Sequence, residues 1–94
     1  MVRATITIAP SALIRGQDGL DLTATGQAFL AALAPVLRRE LPEIEELTLE
    51  LGLALTAHRI EVTAPDAQLA VRLDRDIRDH IWVVREMVPF AVPG

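Results

Sequence analysis

Two histidines, His58 and His80, are the only side chains of this 94-residue sequence with ordinary pKa values near neutral pH. Each is a candidate general base or metal ligand. His58 shares its parity with Ile60 and Val62, so it begins a strand on the inward side. His80 falls on the apolar side of a helical segment, with Asp76 four residues before it, a spacing from which a carboxylate can orient the ring. The plainer readings are structural: a strand-end histidine hydrogen-bonded to backbone, and a histidine in a last helical turn, where the helix dipole favours it. Two histidines without carboxylates at ligand spacing predict no metal site.

The segment Arg15-Gly16-Gln17-Asp18-Gly19 is a second candidate. Its backbone N–H groups, with Arg15, Gly16, Gln17 and Gly19 as the binding residues, could wrap an anion beside a helix start. It matches neither a Walker A nor a GxGxxG pattern, and a turn with Asp18-Gly19 at its tip explains it equally. Glu40, Glu43, Glu45, Glu46 and Glu50 form an acidic run that could meet a basic partner or be a solvated junction.

The alphabet excludes much else. The chain has no Cys, Lys, Asn or Tyr, and one Ser, Ser11. That removes disulfides, thiolate nucleophiles, Cys-type zinc or iron–sulfur sites, Schiff bases and the Walker lysine, and no cofactor is expected. All nine basic residues are Arg, a bias that suggests GC-rich coding and a bacterial source. The start, Met-Val-Arg-Ala-Thr-Ile, does not read as a signal peptide and none is expected, and the longest charge-free stretch, Leu22 to Leu37, is too short and too polar to span a membrane. A cytoplasmic protein of one domain, residues 1–94, is expected, with 51% hydrophobic residues to supply its core.

The elements that must position these residues follow from periodicity. Residues 2–8 alternate, with Val2, Ala4, Ile6 and Ile8 on one face, and predict a strand ended by Pro10. Residues 22–41 repeat Leu30, Leu33, Leu37 and Leu41 at helical spacing, capped by Asp21 or Thr23, with Pro35 predicting a kink or a split. Residues 46–55 alternate from Leu47 to Leu55, and residues 58–63 alternate again. So short a separation predicts an antiparallel hairpin. A second helix begins near Pro65 with Thr63 and Asp66 as a capping pair. Its buried stripe is Leu69, Ala70, Leu73, Ile77, His80 and Ile81. Arg72/Asp76, Asp74/Arg78 and Arg75/Asp79 are i,i+4 pairs on its other side. The apolar period continues to about residue 88, and residues 87–92 then read as an edge strand containing Pro89.

The order predicts an α+β two-layer sandwich, an antiparallel sheet with two helices on one face in the ferredoxin-like β-α-β-β-α-β arrangement. The alternative is β-α-β-β-α with a long C-terminal helix. Acylphosphatases share that topology, but this chain has no Asn and lacks their Gly-x-Val-Gln-Gly-Val-x-Phe-Arg run, so that reading is rejected. The open sheet face carries no aromatic residue and the net charge is −4, which argues against nucleic-acid binding.

With few catalytic side chains and an apolar C-terminal segment, the leading functional expectation is a small interaction module. It would self-associate, as a homodimer, or dock on a protein partner through Trp82, Val83, Val84 and Phe90. A small-molecule or anion-binding protein using the Arg15–Gly19 loop, and a cofactor-free enzyme using His58 or His80, are the alternatives.

Overall fold

A computed structural model of the chain describes residues 1–14 and 18–94. Strand β1 (Arg3–Ile8) leads through a 3-10 turn (Pro10–Leu13) to helix α1 (Leu22–Glu40). Strands β2 (Glu46–Leu51) and β3 (Arg59–Thr63) follow, then helix α2 (Ala67–Met87). The class is α+β, and the element order is that of the long-helix alternative. No fourth strand forms among the described residues.

The sheet corrects the sequence reading in two ways. It is mixed rather than antiparallel, and its order is β2-β1-β3. β2 runs parallel to β1, pairing Ile6 with Leu49, and β3 runs antiparallel to β1 on its other side, pairing Ile6 with Ile60. The expected β2–β3 hairpin is therefore absent, and the ferredoxin-like order with it. The physical reason is that β2 stops at Leu51 rather than residue 55. Gly52 N–H bonds to the Ile8 carbonyl at the end of β1, and Ser11 Oγ donates to the Leu55 carbonyl at 3.2 Å. The connection 52–58 thus passes across the end of β1. Two strand spacings are only about 10 Å, well within its reach. Leu53, which continues the alternation in sequence, is 57% exposed.

β1 is the centre of the core. Ala4, Ile6 and Ile8 are fully buried among Phe29, Leu33 and Leu37 of α1 and Leu73, Ile77, Ile81 and Val84 of α2. Inward residues of the two edge strands, Leu47, Leu49, Leu51, Ile60 and Val62, are only partly buried against that cluster. Gly26 lets α1 approach closely, since a Cβ there would lie 2.6 Å from Leu51 and 3.0 Å from Pro10.

Asp21 caps α1 by accepting from Ala24 N–H, and α1 continues through Pro35 instead of splitting. Asp66 caps α2 through Gln68 N–H, so the capping pair with Thr63 does not form as expected. Residues 88–94 are not an edge strand. They return to the start of α1, where Asp21 N–H donates to the Val92 carbonyl, Val92 N–H donates to Thr25 Oγ1, and Phe90 meets Phe29 edge-on at 5.0 Å.

Candidate functional site

The strand order leaves the outer edge of β3 without a neighbouring strand among the described residues. α2 follows β3 directly and packs beside it, so the surface where the two meet is shaped by both. Its helical side is a stripe at spacings of four and three: Val71, Arg75, Arg78, Trp82 and Arg85. Residues so spaced share one face. Val71 is 71% and Trp82 58% exposed, although both are apolar.

Two depressions line this surface. A groove of 730 Å³ runs along Ile60, Val62, Val71 and Arg75, and a pocket of 200 Å³ lies among His58, Ile60, Arg78, Ile81, Trp82 and Arg85. Ile60 and Arg78 border both, so the surface is continuous.

His58 is half-buried one residue before β3, rather than beginning the strand as its parity predicted. Its Nδ1 accepts the Ala9 N–H at 3.0 Å. An accepting Nδ1 carries no proton, so the neutral ring holds its hydrogen on Nε2. Burial pushes the His58 pKa below its ordinary value, and the nearby Arg85 and Arg78 charges push it the same way. The ring is therefore held neutral with one N–H to offer. Arg78 Nε is bonded to Asp74 at 2.7 Å, and Arg85 Nε donates to the Leu13 carbonyl at 3.3 Å. Among the described residues, no carboxylate lines the pocket.

The other sequence candidates do not join this site. His80 is partly buried on α2 but does not line the pocket, and Asp76 faces Arg72 and Arg75 at 3.5 and 3.9 Å. Among the described residues, no three potential metal ligands gather. Arg15, Gly16 and Gln17 lie outside the described residues. Gly19 has φ +77° and its carbonyl accepts from Gly94 N–H at 2.6 Å.

The acidic run is spent on neighbours. Glu40 pairs with Arg39 and Glu46 with Arg3, both at 3.0 Å, and Thr7 Oγ1 donates to Glu50. Arg72 bonds to Glu43 and holds that carboxyl below the usual carboxylate range.

Of the expected interface residues, Trp82 and Val83 are exposed, Val84 is 2% exposed in the core, and Phe90 is half-buried against Phe29. The sequence reading missed Arg78 and Arg85 as site residues. The signal was their spacing around Trp82, which puts all three on one face of α2.

No helix among the described residues is long and apolar enough to cross a membrane. Compared with known proteins, the chain matches no family model, no curated protein and no solved structure.

Proposed function

We propose that this domain is a self-associating interaction module in which a second copy adds antiparallel to the free edge of β3 and lies along the exposed stripe of α2. The observation that supports this most is the charge order on the edge itself. Arg59, Ile60 and Glu61 are consecutive, and an antiparallel copy centred on Ile60 brings Arg59 of each chain opposite Glu61 of the other. Among the described residues neither charge makes an ion pair, and their partners on β1 are Thr7 and Thr5. Cross-strand opposite charges contribute about 0.2–1 kcal/mol per pair, and the two-fold axis makes two such pairs.

The same axis suits α2. Opposed antiparallel about its middle, it sets Val71 of one copy against Trp82 of the other, covering the two most exposed apolar side chains of the stripe. The charges between them are already balanced, with Arg78 on Asp74 and Arg75 near Asp76. β3 contains no Pro to interrupt a ladder, its two charges are complementary across the two-fold, and Trp is a frequent interface anchor.

The test is sedimentation velocity across about 1–100 μM, since self-association responds to concentration. Wild type should pass from monomer to dimer. Glu61→Arg or Arg59→Glu alone sets like charges opposite at both symmetric pairs. Each should weaken the dimer by about 1–3 kcal/mol, roughly five- to 150-fold. The double exchange should restore it. A monomer throughout overturns the proposal, and a dimer indifferent to both single changes overturns its placement on β3.

A further inference from the structure

We propose that the pocket between His58 and the C-terminal half of α2 binds a small aromatic carboxylate. Its walls divide by chemistry. Ile60, Ile81 and Trp82 supply an apolar surface, and His58, Arg78 and Arg85 supply hydrogen-bond donors. The donors are of one kind only. With Nδ1 committed to Ala9 N–H, His58 has just Nε2–H to give. Arg78 and Arg85 use their Nε atoms on Asp74 and Leu13, which leaves their terminal nitrogens for a second acceptor. A guanidinium fork matches a planar carboxylate geometrically. Among the described residues no acidic group lines the pocket itself, Asp74 engaging Arg78 at its Nε.

Size and lining narrow the ligand further. A volume of 200 Å³ admits one ring and its carboxylate but no polymer. Half-apolar walls disfavour a bare inorganic anion, which would leave Ile60, Ile81 and Trp82 facing its hydration shell. Trp82 is 58% exposed and lines the pocket together with both arginines, so its indole is available for offset stacking on a ligand ring. His58, kept neutral by burial and by two positive neighbours, sits in a positive field that an anion would offset.

Every group named belongs to one chain, so the inference does not rest on self-association, and a second copy covering Trp82 would compete with the ligand for that face. The test therefore uses both wild type and Glu61→Arg, whose substitution lies outside the pocket. Benzoate is titrated into each, following the Trp82 indole and His58 ring resonances by NMR, with benzamide and acetate as controls.

The expected result is saturable benzoate binding with a dissociation constant of about 1 mM in Glu61→Arg, and in wild type at concentrations where it is monomeric, weakening as wild type dimerises over Trp82. Benzamide, which lacks the charge, and acetate, which lacks the ring, should each bind at least about tenfold more weakly. Arg85→Gln and Trp82→Ala should each weaken benzoate about tenfold. Trp82→Ala alters an exposed side chain and keeps the test valid if Arg85→Gln unfolds. Absence of saturable shifts, equal binding of benzamide, or no loss in Trp82→Ala overturns the inference. Binding by wild type but not by Glu61→Arg overturns the assignment of the site to a single chain.

Discussion

The return of residues 88–94 to α1 predicts a coupled pair of substitutions, Phe90→Ala and Thr25→Val. Phe90 is half-buried, and its ring meets Phe29 at 5.0 Å and 74°. A fully buried Phe→Ala costs about 3–5 kcal/mol. Half that burial, with an edge-to-face pair worth about 0.5–1.5 kcal/mol, gives about 2–4 kcal/mol for Phe90→Ala. Thr25 is fully buried, and its hydroxyl accepts Val92 N–H at 3.0 Å and lies 3.5 Å from the Val92 carbonyl. Valine keeps the shape and loses the hydroxyl, so Thr25→Val should cost about 1 kcal/mol.

The two changes act on one strap. Once Phe90 no longer anchors it, the Thr25 bond to Val92 is lost in any case. The double variant should therefore fall short of the summed costs by about 0.5–1 kcal/mol. Urea unfolding of wild type, both single variants and the double variant measures this cycle. A Phe90→Ala loss below about 1 kcal/mol, or strict additivity, would refute the strap.

Three further outcomes follow. Leu73→Ala, at a fully buried position, should cost about 2–5 kcal/mol. Leu49→Ala, on an edge strand and only partly buried, should cost about half as much, and urea melts that reverse the order would contradict the central place of β1. Asp21→Ala and Asp66→Ala should each lose about 1 kcal/mol through their helix N-caps, while Asp18→Ala, which caps neither helix, should change little. His58 has its folded pKa below the unfolded value near 6.5, so the unfolded chain takes up the proton first as pH falls. Its contribution is present above about pH 6.5 and declines as pH drops toward the folded pKa. Wild type should lose stability between about pH 7 and pH 5 relative to His58→Gln, and parallel pH profiles of the two proteins would show that His58 is not the titrating group.

β1 was legible because both of its faces obey one rule: Val2, Ala4, Ile6 and Ile8 are all buried, and Arg3 stays outside. α1 and α2 were legible for a similar reason, their apolar stripes being continuous. The hairpin was misread because alternation records parity and not strand length. Leu53 and Leu55 keep the period of two after the ladder ends at Leu51. Reading them as strand left Thr56-Ala57 as the whole connection, too short to do anything but reverse the chain. Ending β2 at Leu51 frees residues 52–58 to cross β1, and Gly52 and Ser11 hold them there.

The candidate surface was hidden by the same error. Sequence spacing alone groups Val71, Arg78, Trp82 and Arg85 on one face of α2, but it does not say what lies beside that face. Had β3 paired with β2, the strand leading into α2 would have belonged to a hairpin, with β2 on one side of it. With β3 on the far side of β1, its outer edge is open and α2 runs beside it. Three features that were separate in the sequence then share one place: a histidine whose tautomer is set by the end of β1, two arginines without a shared acid, and a tryptophan that the core does not need. The site was therefore illegible for a topological reason, since each of its side chains was visible and their neighbourhood depended on which strand stood at the edge.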